Sequence, residues 1–105
     1  MQAIKKEILK LFGRRQNFII LLGTGPAGGI RGKEKNNRTE TSCFISYNNK
    51  NLLINATSFL KQQFKKNNIT NIDYLLLTHG HSDCISGLPQ LFDIIGRKIP
   101  CYACL

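Results

Sequence analysis

Residues 72–87 read Ile-Asp-Tyr-Leu-Leu-Leu-Thr-His-Gly-His-Ser-Asp-Cys-Ile-Ser-Gly, an apolar run followed at once by a cluster of metal-ligating side chains. The run Ile72–Thr78 predicts a strand covered on both faces, because its polar and apolar residues do not alternate. His79 and His81, the only two histidines of the chain, point the same way in an extended backbone and can reach one metal ion. The turn that follows presents Asp83 to a second ion. We therefore favour a metal site here over a polar loop with solvated histidines.

The segments around this stretch predict an α/β domain with flanking helices. Asn48-Asn49-Lys50 predicts a hairpin turn. Predicted strands, the first four expected in one sheet, are Phe18–Leu22, Ser42–Tyr47, Asn51–Asn55, Ile72–Thr78 and Ile99–Cys104. Predicted helices cover residues 58–66, capped by Thr57 or Ser58, and residues 87–96, capped by Ser86 and ended by Gly96.

A basic amphipathic helix is predicted over residues 1–16, ahead of a partial domain over residues 17–105. Ile4, Ile8 and Leu11 lie on one face of that helix. Such helices cover part of their own domain more often than they lie on a membrane surface.

The motif Gly23-x-Gly25-x-x-Gly28 matches the dinucleotide-binding fingerprint as a string. That fingerprint needs a helix to begin at the glycines so that its N-terminus holds a pyrophosphate. The residues that follow have no helical spacing of apolar side chains. We therefore interpret Gly23, Thr24 and Gly25 as a loop that turns sharply beside the site.

The composition limits the classes of protein that are possible but does not identify a substrate. The net charge of +9 suits a polyanionic substrate or a nucleic acid, although ten asparagines also fit a biased proteome. The apolar runs are too short to span a bilayer and no secretory signal is visible, so a cytoplasmic location is the default. With that location, we expect no disulfide framework, and Cys101-x-x-Cys104 is interpreted as structural.

In their order, the motifs resemble the metallo-β-lactamase superfamily over about residues 17–104. The resemblance rests on Leu22-Gly23-Thr24-Gly25, on Asn55 after Leu52-Leu53-Ile54, and on Leu77–Gly87. Within the superfamily the motifs are most similar to phosphodiesterases that hydrolyse cyclic phosphates, and next to tRNA 3′-processing endonucleases. The resemblance implies the N-terminal half of an αββα fold with a mixed sheet. It also implies two metal ions, usually zinc and alternatively manganese, which hold a hydroxide that attacks phosphorus.

By position, the resemblance gives each motif residue a role. His79 and His81 would bind the first metal, and Asp83 would bind the second and orient the hydroxide as the catalytic residue. Cys84 stands where the family has a histidine for the second metal; a thiolate binds zinc but is shorter than imidazole. Asn55 stands where the family has an aspartate that supports the ligands, and a neutral amide supports a histidine less well.

The sequence therefore predicts a metal-dependent, phosphodiesterase-like hydrolase whose site is incomplete within these residues. The remaining ligands of the family follow later in its fold, so the chain alone is expected to bind zinc weakly and to be inactive. A phosphate ester or nucleic acid is the expected substrate, and an unpaired sheet edge predicts self-association. Two alternatives stay open: a non-catalytic relic or basic interaction module, and a tRNA 3′-processing-type nuclease.

Overall fold

The computed structural model describes residues 17–26, 29, 38–79 and 82–103. The helix predicted over residues 1–16 lies outside these residues. The elements in chain order are β1 (Phe18–Gly23), β2 (Ser42–Tyr47), β3 (Lys50–Ile54), α1 (Leu60–Asn67), β4 (Tyr74–Leu77), α2 (Ser82–Ile85), α3 (Leu88–Ile95) and β5 (Cys101–Ala103).

The five strands form one mixed sheet in the order β1-β2-β3-β4-β5. Strands β1, β2 and β3 form an antiparallel meander, whereas β3, β4 and β5 run parallel. Parallel neighbours require a crossover connection, and the segments containing α1 and α3 supply these two crossovers. The predicted mixed sheet with flanking helices is confirmed.

The hairpin between β2 and β3 shows why the strand boundaries could be predicted well. Asn48 and Asn49 have φ angles of 48° and 64°. A two-residue hairpin turn of type I′ needs positive φ at both positions, which asparagine tolerates better than most residues. The turn therefore fixes the register in which Tyr47 pairs with Lys50.

Helices α1 and α3 cover one face of the sheet. Their buried side chains join those of the strands in a single apolar cluster, which includes Leu60, Phe64, Leu91, Phe44, Leu53 and Leu75. Burying each large side chain of this kind contributes about 1.5–3 kcal/mol. The core thus fixes the strands against the helices.

The opposite face of the sheet is largely open in the part of the chain that is described. Ile19, Leu21 and Tyr74 are exposed on this face, and Leu76 is half-buried. The expectation that Ile72–Thr78 is covered on both faces is therefore wrong for the described residues. The physical reason is that both eight-residue helices pack on the other side, so the apolar run keeps one open face.

The three described helices are short, and their starts differ from the predicted ones. Helix α1 begins after Phe59 and helix α3 after Gly87, neither with a side-chain cap. Thr57 instead donates its hydroxyl hydrogen to Gln63 Oε1, and Ser86 lies in the turn between α2 and α3. The predicted stop at Gly96 is confirmed by its φ of 67°. No helix in the described ranges is long and apolar enough to cross a membrane.

Candidate metal centre

The candidate site lies where the parallel strands β3 and β4 end side by side. Asn55 directly follows β3, and Thr78 and His79 directly follow β4. The backbone N–H of Asn55 donates to Leu76 O at 2.9 Å. Asn55 is buried and has a φ of 68°, a left-handed conformation in which asparagine is enriched. These contacts fix the ends of both strands relative to each other.

Helix α2 is attached to the same strand ends through backbone hydrogen bonds. The N–H of Ala56 donates to Cys84 O, and the N–H of Gly87 donates to Ala56 O, each at 2.8 Å. A Cβ atom at Gly87 would lie 2.0 Å from Thr57 O, so only glycine permits this approach. The turn that the sequence predicted after β4 therefore contains a short helix, and that helix positions Cys84 beside His79.

Three potential metal ligands converge at this point. Within the described residues, the ligand atoms of His79, Asp83 and Cys84 all lie within 4.8 Å of one another. Cys84 Sγ is 3.5 Å from His79 Nε2 and 3.7 Å from Asp83 Oδ1. His79 Nε2 is 3.9 Å from Asp83 Oδ1. The side chains of His79 and Asp83 are 47% and 21% exposed, whereas Cys84 is 1% exposed, so the cluster opens to solvent on the histidine side.

Asn55 and Thr78 set the orientation of the His79 ring. The backbone N–H of Thr78 donates to Asn55 Oδ1 at 3.0 Å, which identifies that atom as the amide oxygen. The Thr78 hydroxyl also donates to this oxygen, at 3.1 Å. Thr78 Oγ1 also lies 2.9 Å from His79 Nδ1. When the hydroxyl hydrogen is donated to Asn55, this contact needs the ring hydrogen on Nδ1. The lone pair of the neutral ring is then on Nε2, which lies 3.9 Å from Asp83 Oδ1. Cys84 Sγ lies beside both ring nitrogens, at 3.4 Å from Nδ1 and 3.5 Å from Nε2.

The surroundings of the Cys84 thiol disfavour its charged form. Burial raises the pKa of this thiol above its ordinary value, and the neighbouring Asp83 carboxylate raises it further. Hydrogen bonds with the Thr78 side chain and the His79 backbone lower the pKa by less. A divalent cation in contact with sulfur would oppose these effects, because coordinated thiols are deprotonated.

A cleft of about 340 Å³ lies against the cluster. It is lined by Thr41, by Ser42 and Cys43 at the start of β2, and by Gly25 and Pro26. The Ser42 hydroxyl contacts Asn55 O at 2.9 Å, so the cleft wall also supports Asn55. The cleft provides room for a small ligand directly beside the three converging atoms.

Only one residue of the loop Gly23-Thr24-Gly25 lies at the site. Gly25 lines the cleft, whereas Gly23 and Thr24 do not. Gly23 is required elsewhere, since a Cβ atom there would lie 2.2 Å from Glu40 O. The N–H of Gly25 donates to Thr39 O, and Gly25 O accepts from the N–H of Thr41. The residues in which a dinucleotide-binding helix would begin, 27, 28 and 30–37, lie outside the described residues, so the rejection of that fingerprint stays a prediction.

The structure brings together most of the site residues that the sequence suggested. His79, Asp83, Cys84 and Asn55 lie side by side, while His81 and Cys104 lie outside the described residues. Thr78 is a site residue that the sequence motifs did not predict, although its position directly before His79 was the available signal. The cleft residues of β2 carried no such signal, since only the register of the sheet places them there.

The chain is similar in sequence to two curated ribonucleases, although no family model matches it. It is 40% identical over 76 residues to ribonuclease Z of Nanoarchaeum equitans (strain Kin4-M), which covers 70% of this chain and 22% of the relative. It is 35% identical over 82 residues to ribonuclease Z of Clostridium tetani (strain Massachusetts / E88), with coverage of 76% and 25%. The chain thus spans about a quarter of the length of the curated relatives it matches.

Solved structures share the same fold. A diphosphatase from the PhnP family matches with a TM-score of 0.71 and 27% identity, over 81% of this chain and 40% of that one. Zn²⁺-bound PqqB from Methylobacterium extorquens matches with a TM-score of 0.69 and 24% identity, over 81% and 36%. The second similarity concerns the fold alone. Both structures contain a larger chain, of which the present sheet and helices match one part.

Proposed function

Because this chain belongs to the metallo-β-lactamase superfamily, we propose that it carries the metal-binding turn of a metal-dependent hydrolase that acts on phosphate diesters. The observation that carries the proposal is the convergence of His79, Asp83 and Cys84 within 4.8 Å at the mouth of a cleft. Parallel strands collect ligands at their carboxyl ends, and this cluster lies at the ends of β3 and β4. The described donor set, one nitrogen, one oxygen and one sulfur, fits a zinc ion.

Each residue has a separate task in this proposal. His79, with His81 expected beside it from the sequence, and Asp83 hold the metal. A bound divalent metal supplies stabilisation of the charge that develops on phosphate oxygens and lowers the pKa of water. Asp83 accepts a hydrogen bond from the attacking water and so orients it. Asn55 and Thr78 keep the His79 ring in one tautomer.

The net charge of the chain and the activities of the similar proteins together support one class of substrate. The net charge of +9 favours an anionic substrate, because a positive surface raises the local concentration of anions. The similar solved diphosphatase acts, by its name, on a phosphoric anhydride, and the similar ribonucleases act on RNA. A phosphate diester is common to the ribonuclease reaction and to the family resemblance. Zinc is the metal proposed first, and manganese the alternative.

The test is hydrolysis of bis(p-nitrophenyl) phosphate by the protein expressed from its natural coding frame, with any residues that follow Leu105 retained. With added Zn²⁺ or Mn²⁺, we expect turnover that His79→Ala and Asp83→Ala abolish. Asp93→Ala is the matched control, since Asp93 is an exposed acid on α3 and should leave turnover unchanged. Absence of metal-dependent turnover would favour the non-catalytic relic instead.

A second candidate is a nuclease that cleaves RNA near a tRNA 3′ end. Two observations favour it: 40% identity to a ribonuclease Z and the excess of 15 basic over 6 acidic residues. The same protein would then cleave a precursor tRNA much faster than the small aryl diester. Equal or slower cleavage of the RNA would favour the general phosphodiesterase.

A further inference from the structure

Helix α1 presents three lysines to solvent. Lys61, Lys65 and Lys66 are exposed, and the helix contains no acidic residue. With 3.6 residues per turn, the lysines occupy one half of the helix. The other half carries its buried side chains, which are Leu60, Gln63 and Phe64. The three lysines, here called the α1 lysine face, therefore form one surface of a single charge sign.

The stability of the helix accounts for only part of this arrangement. Lys65 and Lys66 lie in the last turn, where the helix dipole favours a cation. Lys61 lies in the first turn, where the same dipole disfavours a cation, and that turn contains no acidic residue. Lys61 and Lys65 are also four residues apart, a spacing at which like charges on a helix repel each other. The position of Lys61 thus needs an explanation outside the helix.

The lysines of α1 have no ion-pair partner in the part of the chain that the structure describes. The two ion pairs found there involve Asp73 and Asp83, and neither includes a lysine. Glu40 is buried and accepts from the backbone N–H of Ser58. Asp93, the remaining acidic residue of these ranges, lies on the neighbouring helix α3. No ion pair within these ranges therefore compensates the positive charge of the α1 lysine face.

The α1 lysine face begins next to the candidate metal centre. Asn55 lines the cleft, and α1 starts five residues later at Leu60, whose N–H donates to Thr57 O. Because α1 connects the parallel strands β3 and β4, it runs back from their carboxyl ends toward their amino ends. Its eight residues extend over about 12 Å. A strand of ligand that lies along the lysine face therefore leads to the cleft.

We propose that the α1 lysine face binds the phosphate backbone of an RNA strand whose next phosphates enter the cleft. This inference rests on the proposed function in its nuclease form, and it adds the surface that holds the substrate outside the reacting phosphate. Lysine contacts with phosphates position a nucleic acid without reading its sequence. An anionic membrane is the less suitable partner, because Leu60 and Phe64, the large apolar side chains of α1, are buried in the core and cannot insert into lipid.

The experiment measures, by fluorescence anisotropy, the binding of a fluorescein-labelled single-stranded RNA of about 20 nucleotides over a range of salt concentrations. It uses the protein expressed from its natural coding frame, with EDTA present to prevent metal-dependent cleavage. Lys61→Ala/Lys65→Ala should weaken binding about tenfold at about 0.1 M salt. It should also reduce the slope of log K against log salt by roughly 1.4, since each phosphate contact with a single strand contributes about 0.7. Lys61→Arg/Lys65→Arg, which keeps both charges, should bind as the wild type does.

Lys50→Ala/Lys98→Ala is the matched control, because it removes the same number of charges. Both lysines are exposed and lie at or near the amino ends of β3 and β5, at the sheet edge opposite to the cleft. Charges more than about 10 Å from the bound strand are screened at about 0.1 M salt, so binding should change little. Equal losses in the two double variants would overturn the proposal, because net charge alone would then explain binding. Unchanged binding by Lys61→Ala/Lys65→Ala, or no RNA binding by the wild type, would also overturn it.

Two further measurements separate this proposal from its alternatives. Pelleting with vesicles that contain phosphatidylserine should show no binding through these lysines. Vesicle binding that Lys61→Ala/Lys65→Ala abolishes, without binding of RNA, would overturn the choice of RNA as the partner. Failure of the proposed function is distinguishable, because it would leave lysine-dependent RNA binding intact and hydrolysis of bis(p-nitrophenyl) phosphate absent.

Discussion

Two polar clusters lie at opposite ends of the parallel strands β3 and β4, and they differ in how their groups are satisfied. At the amino ends, Asp73 accepts from the Asn51 N–H at 2.8 Å and from Arg97 Nη2 at 3.0 Å. Arg97 Nη2 also donates to Asn71 Oδ1 and to Ile72 O, each at 3.1 Å. This cluster, here called the Asp73 network, closes short hydrogen bonds within the protein.

At the carboxyl ends, the cluster of His79, Asp83 and Cys84 has the opposite character. Its contacts to Cys84 Sγ measure 3.4–3.7 Å, ordinary distances for hydrogen bonds to sulfur, whereas the 3.9 Å between His79 Nε2 and Asp83 Oδ1 is too long for a hydrogen bond between nitrogen and oxygen. Its polar atoms converge on one another at a cleft. The Asp73 network therefore stabilises the fold through its own hydrogen bonds, whereas the convergence of the other cluster on the cleft is the feature on which our metal-site proposal rests. Matched substitutions at the two ends should therefore have opposite consequences.

The largest effect is expected for Asp83→Ala on metal affinity. Removing a partner of a metal ligand typically costs about 10–100-fold in affinity, so removing a ligand should weaken Zn²⁺ binding by more than about 100-fold. The free energy of unfolding should change by no more than about 1 kcal/mol, the contribution of an acidic residue in a first helical turn. Zinc titration and urea unfolding measure the two quantities. Unchanged zinc affinity would contradict the assigned site.

Gly87→Ala should affect both stability and metal affinity. The added Cβ would meet Thr57 O at 2.0 Å, so α2 or the residues after β3 must move. Overpacking of this kind costs typically about 1–3 kcal/mol, and the displacement of Cys84 should weaken zinc binding as well. Gly96→Ala is an instructive comparison, because its Cβ would meet no atom within 4 Å and its cost comes from its positive φ alone. Loss of stability with unchanged zinc affinity for Gly87→Ala would show that α2 does not position a ligand.

Asp73→Ala is the counterpart of Asp83→Ala at the other end of the strands. It leaves the Asn51 N–H and the Arg97 guanidinium without this acceptor, at a cost of about 1–3 kcal/mol in the free energy of unfolding. Zinc affinity should stay within about twofold of wild type, since stability effects of distant sites are independent. Lys98→Ala, at an exposed neighbour of Arg97, should change neither quantity. A fall in zinc affinity with Asp73→Ala would contradict the proposal that the Asp73 network contributes to stability and not to metal binding.

Thr78→Val should give the smallest of these effects. The hydroxyl that fixes the His79 tautomer is lost, while the Thr78 N–H still donates to Asn55. Zinc affinity is expected to fall about tenfold, at the lower end for partners of metal ligands. Thr78→Ser, which keeps the hydroxyl, should restore it. Equal affinities of the valine and serine variants would contradict the orienting role.

Much of this fold could be predicted from the sequence because its signals are local. The apolar runs of β1, β2 and β4 and the Asn48-Asn49 turn place the strands within two residues. Helix α2 was predicted as a turn, since four residues are too few to show a helical period. Which face of β4 is covered depends on where the helices pack, and the run Tyr74–Leu77 is apolar on both sides.

The site was predictable in its residues but not in its geometry. His79 and Asp83 are only four residues apart in sequence, and their grouping follows from that spacing. The approach of Cys84 depends on the backbone bonds of Ala56 to Cys84 and Gly87, which join segments about thirty residues apart in the chain. The contact of Asn55 with Thr78 is likewise a consequence of the β3–β4 pairing.

The central claim is that the carboxyl ends of β3 and β4 form a metal site within this chain. Calorimetric titration with Zn²⁺ tests it most directly, in a chain with Cys101 and Cys104 replaced by serine to remove that cysteine pair. We predict one zinc ion per chain, bound less tightly than in a complete member of the superfamily. His79→Ala, His81→Ala and Cys84→Ser should each weaken it. Tight binding of two zinc ions per chain, or binding that none of these substitutions changes, would contradict the account.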